Sequence, residues 1–464
     1  MNFKREVLQI QPTNLGSGVF GARNGLPQII LEIPRVPKIM DGKSLRINGT
    51  MSIFSSTGVK PQNTENFFVD AAPVNDIFMD GRTGMSSVID VLSIQNLEGA
   101  TYETIKNYSR MASSVSPLNE SVENYLNGGI DGLYGGLSKE VSTASKCDNK
   151  FDFSLPLLAG FLNGSGGIDL QLIKGCRIIL NLSPDNMVLR NNHWRNINST
   201  GGTALGGAYY ELSNISLSVT CETPDQQGQN AMIANQQGSW DYDAFSSFYN
   251  VIQSNDHNAI MNINTGRTIS TIMNLVPSKF LNNYNYNSLW TSQLLTENAA
   301  GILKNRVVMT DLTFTKGGLR IPLDYMTTSG PSQEIGVSTS FKNFEELNAI
   351  RNVWSLSNFE KSLTTELSLP LGNNIAAGSA SQQARFSLVN GYSMNYEDKI
   401  QQYNLGVSYD HITYNGLDFR GTPLGLRIQS VAPTGTSLRP HSLFMFVKHK
   451  NTIVFQNGQV RVIM

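Results

Sequence analysis

A few stretches of this chain carry residues whose types and spacing suit known chemistry. Gly16-Ser17-Gly18-Val19-Phe20-Gly21 matches the G-x-G-x-x-G pattern of dinucleotide sites. Such a site needs a strand before the glycines and a helix opening at their end, so that the helix N-terminus faces the pyrophosphate. Here Asn24-Gly25-Leu26-Pro27 and then a β run follow, so no helix opens, and residues 1–27 read as an N-terminal arm. Gly42-Lys43-Ser44 resembles the end of a phosphate-binding loop, but Pro37 stands where the first glycine belongs, and the segment continues straight into a strand. Asp241 and Asp243 flank Tyr242 and could touch a cation, although such a pair in a polar stretch reads as a solvated turn.

The remaining reactive side chains are scattered. His193, His257, His411, His441 and His449 form no close pair and none is followed by Glu, while Cys147, Cys176 and Cys221 are far apart. Neither set has the spacing of a zinc site, and no G-x-S-x-G nucleophile elbow occurs. Trp194, Trp240, Trp290 and Trp354 read as packing anchors, with a sugar- or base-stacking platform as the sharper alternative. The Asn-x-Ser/Thr triplets at Asn48, Asn163 and Asn214 are expected by chance in a chain this rich in those residues. Two distant carboxylates can converge in space as a glycosidase pair, and the sequence leaves that open. No catalytic, cofactor-binding or metal-ligating residue is assigned, no cofactor is expected, and the chain reads as a non-enzyme.

Composition points to a surface that is not all meant for water. Charged residues are 15% of the chain, against roughly 25% in ordinary soluble domains. Interface centres are depleted in Lys, Glu and Asp, so this balance suits a protein that buries its sides against copies of itself; a β protein with long polar loops is the blander explanation. Thirty-five Lys plus Arg against 36 Asp plus Glu leave a net charge of −1, with no basic arm for packaging nucleic acid. An odd number of dispersed cysteines fits a reducing compartment. No apolar run approaches the roughly 18 residues of a membrane span, and no secretory leader is legible. The expectation is a soluble protein made inside a cell.

Positioning falls to short strands. Gln28–Ile33, Ser44–Ile53, Gly175–Leu182, Ser213–Thr220 and Leu424–Val431 are β runs, several with period-two alternation, bounded by Gly, Pro or Asn. Asn457-Gly458, between Thr452–Phe455 and Val460–Ile463, is a strong hairpin signal. Helical spacing is expected over Tyr102, Ile105, Tyr108 and Ala112, over Val122, Tyr125 and Leu126, over Phe245, Phe248, Tyr249 and Ile252, and from Asn343 through Leu347, Ile350 and Trp354. Residues 224–243, opening with Pro224-Asp225-Gln226-Gln227-Gly228, read as a linker between a unit at 28–223 and another at 244–464.

The order of segments in the first half resembles the major capsid proteins of double-jelly-roll DNA viruses, the lineage of polinton-like viruses, virophages and nucleocytoplasmic large DNA viruses. The resemblance rests on Ile29–Ile33, on Met40-Asp41-Gly42-Lys43-Ser44-Leu45-Arg46-Ile47, and on Gly84–Val91 leading through Gly99 to Asn107-Tyr108. It continues with Phe153–Gly160 leading to Ile168-Asp169-Leu170, and with Tyr210–Leu217. It covers roughly Gln28 to Thr223 and is only general beyond that.

That resemblance implies a mainly β fold of two tandem eight-stranded jelly-roll sandwiches with short helical insertions. It implies a structural role in the virion: a homotrimer forming pseudo-hexagonal capsomers that tile an icosahedral capsid, beside neighbouring capsomers, penton and minor capsid proteins. It implies neither sequence-specific nucleic-acid binding nor a membrane span. Synthesis in the host cytoplasm or nucleus would follow. A penton or minor capsid protein, and a β-sandwich glycan-binding attachment protein, are the alternatives.

Overall fold

A computed structural model describes residues 4–54, 77–79, 84–112, 150–164, 166–191, 208–235, 237–253, 258–278, 281, 295–297, 303–306, 308–327, 411–431, 437–438, 440–456 and 458–463. Alternation writes the first set of strands directly. In β2 (Gln28–Ile33), Ile29, Leu31 and Ile33 are buried while their neighbours are half-buried, and Cys176, Ile178, Leu180 and Leu182 do the same in β7 (Cys176–Leu182). The other strands of this set are β1 (Lys4–Ile10), β3 (Arg46–Phe54), β4 (Ile89–Gln95), β5 (Thr101–Lys106), β6 (Lys150–Pro156) and β8 (Tyr209–Thr223).

These eight strands make two sheets. One runs β1-β8-β3-β6, extended by the short strands Val19–Phe20, Ile39–Met40 and Ile168–Asp169, and the other runs β2-β7-β4-β5. Their inward residues, among them Ile47, Met51, Leu217 and Val219 from one sheet and Ile29, Leu31, Leu92, Ile94 and Ile178 from the other, belong to one buried cluster. Each apolar residue moved from water into it contributes about 1.5–3 kcal/mol.

The second set repeats the plan. Its strands are β9 (Gly238–Ile252), β10 (Asn258–Met261), β11 (Thr268–Pro277), β12 (Val308–Lys316), β13 (Leu319–Thr327), β14 (His411–Leu417), β15 (Leu424–Val431) and β16 (His441–Gln456). The sheets run β9-β16-β11-β14 and β10-β15-β12-β13. Adding eight to every label of the first pair of sheets gives the second pair. Eight strands in this order, in two sheets, are a jelly roll, and the chain contains two. Residue-level similarity between the halves is not needed for this, since the hydrogen-bond ladders alone define it.

Register also gives each barrel two unlike ends. In the second barrel Thr268 pairs with Leu417, and both Lys316 and Met261 pair with Leu424, so the connections 262–267, 317–318 and 418–423 gather at one end. His441 pairs with both Ile252 and Pro277 at the other end, and Val308 pairs with Val431 there. In the first barrel Arg46 pairs with Pro156 and Cys176 with Ile33, placing 34–45, 96–100 and 157–175 at one end. The described strand ends at Phe54, Ile89, Lys106, Lys150, Leu182 and Tyr209 lie at the opposite one.

Several expectations need correction. The residues around Tyr102 and Ile105 form β5, with helix only at 108–112, and Phe245 to Ile252 lie in the fifteen-residue strand β9. β5 is buried on both faces at Tyr102, Glu103 and Ile105, and β9 carries apolar residues on both faces, Phe245 and Tyr249 on one and Phe248 and Ile252 on the other, so the spacing imitates a helical period. The stretch expected to be an arm contains β1, paired along its length with β8. Within the expected linker, Asp225 caps helix α2 (Gln226–Ala234) by accepting from Gly228 N at 2.9 Å, and β9 begins at Gly238. The expected helices near Val122 and from Asn343 lie outside the described residues. The Asn457-Gly458 hairpin is present: Gln456 pairs with Gln459, and Gly458 has φ +71° at the turn into the terminal strand β17 (Gln459–Ile463).

Candidate functional site: the seam between the barrels

The residues singled out for chemistry end up apart. Gly16 and Gly18 sit in a tight turn at positive φ, followed by the short strand Val19–Phe20, with no helix at the glycines. Gly42-Lys43-Ser44 is one turn of 3-10 helix capped by Asp41 and running into β3. Asp241 and Asp243 lie on β9, where Asp241 meets Thr452 at 2.5 Å and Arg267 at 3.7 Å, and Asp243 meets the buried Lys448 at 3.1 Å. Cys176 and Cys221 are buried, and burial pushes the Cys176 thiol up to about 12. Cys147, His193, His257, Trp194, Trp290 and Trp354 lie outside the described residues. Among the described residues no cluster of three His, Cys, Asp or Glu could hold a metal ion, and no helix is long and apolar enough to cross a membrane.

What the sequence did not single out is Glu103. It sits on β5 in a fully buried position at the place where the first barrel meets the second. Its Oε1 accepts from Gly160 N at 3.2 Å and from Phe245 N at 2.6 Å, and its Oε2 accepts from Phe161 N at 2.9 Å. Gly160 and Phe161 begin α1 (Gly160–Asn163), in the β6–β7 connection, and Phe245 belongs to β9. One carboxylate therefore ties a strand, a short helix and the opposite barrel through main-chain donors. Burial pushes the Glu103 carboxyl up to about 7; the three N–H donors pull the other way, and Asp243 nearby adds to the rise.

Aromatic side chains close the seam around that carboxylate. Tyr242 donates to the Tyr102 carbonyl at 2.5 Å, and Asn451 donates to the Tyr242 hydroxyl at 3.4 Å. Tyr102 stacks on Phe161 with ring centroids 4.6 Å apart and donates to the Ile173 carbonyl at 2.8 Å. Phe161 in turn meets Tyr242 edge-on at 5.4 Å and Trp240 at 5.3 Å. Backbone approach is just as close. A Cβ on Gly160 would lie 2.0 Å from the Asp243 carbonyl oxygen, so only glycine lets α1 touch β9.

β16 supplies the floor of the seam. Nine consecutive residues from His441 to His449 are buried, because one face covers its own barrel and the other meets the first. Phe444 and Phe446 share the buried cluster of the first barrel, and the Arg110 guanidinium lies 4.6 Å over the Phe444 ring. His449 shares a 2.8 Å hydrogen bond with Ser246, and burial lowers its pKa to about 4. Between the first barrel's connections, α2 and the terminal hairpin, a cavity of about 200 Å³ lined by Arg35, Lys174, Ile233, Phe455 and Val460 is smaller than the roughly 300–1,000 Å³ of small-molecule sites. The arrangement that the chain builds with most care is a mechanical joint.

No protein-family model matches the sequence, and no curated protein matches it. Solved structures do match in fold. The PBCV-1 virus capsid aligns over 100% of this chain and 97% of its own, at TM-score 0.51 and 11% identity. The Faustovirus major capsid protein covers 98% and 91%, at TM-score 0.53 and 10% identity. The Sputnik virophage structure covers 99% and 88%, at TM-score 0.50 and 9% identity. At such identities the likeness is one of fold: the described residues form the double jelly roll shared with these virus structures.

Proposed function

We propose that this chain is a structural subunit of an icosahedral virus shell, a major capsid protein that trimerises into pseudo-hexagonal capsomers. One observation carries the proposal. Two barrels of identical strand order are fused in one chain and locked by a buried seam, so the chain offers two near-equal sides as a rigid unit. Three such chains around an axis present six similar corners, and that shape tiles a surface from one gene product. The fold shared with the PBCV-1, Faustovirus and Sputnik structures supports this role. So does the shortage of charge. On this reading the chain is divided at residues 224–237, resides in the virion, meets neighbouring capsomers, penton and minor capsid proteins, and catalyses no reaction.

Negative-stain imaging of the purified chain with a mass measurement tests it. Three-fold or pseudo-hexagonal particles of about 150 kDa, three times 51.0 kDa, are expected. A protein that stays at one chain's mass at micromolar concentration in mild buffer overturns the capsomer reading.

A further inference from the structure

β17 leaves one side of its backbone open. It pairs with β16 from Thr452 to Gln456 in an unbroken register. Where a two-residue turn closes an antiparallel pair, the flanking residues exchange hydrogen bonds and every second pair does not. Gln456 and Gln459 flank the turn here, so Val460 and Val462 aim their N–H and C=O groups away from β16. Among the described residues no strand meets them. Natural edges are blunted by proline, lysine, a bulge or a covering segment. Gln459-Val460-Arg461-Val462-Ile463 carries no proline or lysine, and its register with β16 has no shift. The hairpin is also held in place: Ile453 and Phe455 belong to the first barrel's buried cluster, and Val460 and Val462 pack against it. The edge is therefore extended and fixed before anything binds it.

The first barrel shows what such an edge accepts. There Ile39–Met40 pairs with β8 beyond the end of β3, as β17 pairs with β16 beyond the end of β11. Met40 and Val462 hold matching places, each opposite a buried residue of the long strand, Cys221 and Ile453. In the first barrel the chain fills the far side itself, from the connection 157–175. Ile168–Asp169 runs antiparallel to Ile39–Met40, and Leu170 N donates to the Lys38 carbonyl at 3.0 Å. The corresponding connection of the second barrel, 418–423, contributes no strand. Among the described residues, the place that Ile168–Leu170 takes in one barrel is unfilled in the other.

Side chains narrow the occupant. Gln459, Arg461 and Ile463 point outward from the hairpin, and Arg461 is exposed and makes no ion pair among the described residues. An acidic side chain set across from it gains a cross-strand pair, and a like charge loses. Two copies of β17 laid antiparallel about Arg461 set arginine against arginine, which disfavours that self-pairing. On the inward side, the cavity of about 200 Å³ beside the hairpin exposes Leu172, Ile233, Phe455 and Val460 along with Arg35 and Lys174. It has room for one apolar side chain of an added strand.

We propose that β17 is a docking edge for a foreign strand: an extended segment of a different polypeptide, alternating apolar with acidic residues, adds antiparallel to Gln459–Ile463. Val460 and Val462 supply the main-chain hydrogen bonds. The apolar side chains of the guest continue the inward row of Val460 and Val462, and its carboxylates face Arg461. Main-chain bonds give such a contact its affinity, and the pockets for alternate side chains give it selectivity. The inference does not rest on the capsomer reading, since the edge is complete in one chain.

The probe is a fluorescein-labelled synthetic peptide alternating valine with glutamate, and its counterpart alternating valine with lysine. Each is titrated into the full chain and followed by anisotropy and by amide hydrogen exchange on the fragment that carries β17. The glutamate peptide is expected to bind about fivefold more tightly than the lysine peptide. It is expected to slow exchange of the Val460 and Val462 amides about tenfold or more. Val462→Pro removes an outward donor and no bond to β16, a change that an edge strand tolerates. It is expected to weaken the glutamate peptide about fivefold or more with the unfolding midpoint retained. Arg461→Glu is expected to abolish the preference for glutamate over lysine. Amides that the peptide does not slow, or equal binding to Val462→Pro, overturn the inference. If Val462→Pro lowers the midpoint, Arg461→Glu decides alone, because its side chain lies outside the core; an unchanged preference overturns the proposal. Amides already slow in the chain without peptide also overturn it: slowness that persists on dilution assigns the edge to this chain's own residues, and slowness lost on dilution assigns it to a second copy.

Discussion

Glu103 and His449 give the pH dependence of stability two opposed parts. Burial raises the Glu103 carboxyl from 4.5 to about 7 in the folded chain, so folding favours its protonated form. Its contribution is fully present below about pH 4.5 and is lost as pH rises to about 7. At about 1.36 kcal/mol per pH unit, that interval amounts to roughly 3 kcal/mol. Burial lowers His449 from 6.5 to about 4, so folding favours its neutral form. Its contribution is present above about pH 6.5 and is lost, by a similar roughly 3 kcal/mol, as pH falls toward 4. Between pH 4.5 and 6.5 the two nearly cancel, and these groups leave the wild type almost flat. Removing one exposes the other. Glu103→Gln is expected to become more stable with rising pH across this window, and His449→Gln less stable, each by roughly 2–3 kcal/mol relative to wild type. Urea titrations of the full chain at half-unit pH steps, followed by tryptophan fluorescence, measure this difference. If the gap between wild type and Glu103→Gln stays constant within about 0.5 kcal/mol from pH 4.5 to 6.5, the buried carboxylate does not titrate as reasoned.

Two further outcomes concern the same seam. Gly160→Ala places a methyl 2.0 Å from the Asp243 carbonyl, so α1 must move away from β9, and a loss of about 1–3 kcal/mol is expected in denaturant with the far-ultraviolet dichroism unchanged. Tyr242→Phe removes the donor to the Tyr102 carbonyl and the acceptor for Asn451; a loss of about 1–2 kcal/mol is expected, and an unchanged urea midpoint would refute the importance of that bond.

The sequence made the barrels visible where one face of a strand is wet. β2 and β7 alternate cleanly because each covers the core on one side only, and the terminal hairpin announces itself through Asn457-Gly458. It concealed the strands that serve two neighbours. Tyr102, Glu103 and Ile105 are all buried on a six-residue strand, and β9 carries Tyr242 and Ala244 toward the first barrel with Phe245 buried beside them. Apolar residues on both faces erase the period of two, and spacings of three and four emerge by accident. Glu103 was missed for a related reason. A single acidic residue between Tyr102 and Thr104 has no partner nearby in sequence, since its donors come from residues 160, 161 and 245. A glutamate flanked by strand-forming residues and followed by Ile105 was the one available hint. The resemblance in segment order anticipated the architecture because order of elements survives where residue identity does not.

In the second barrel the three connections at one end are only two to six residues long, which leaves the opposite end as its single open rim. Chain added at that end raises the closure cost of a flexible connection by only about 0.6 kcal/mol per doubling of its length, and it enters none of the described ladders. At the other rim the two residues between β12 and β13 leave no such slack. Decoration is therefore cheap on one surface of the molecule and costly on the other. A lineage built on this plan is free to vary its outline in one direction while its flanks stay fixed for fitting together.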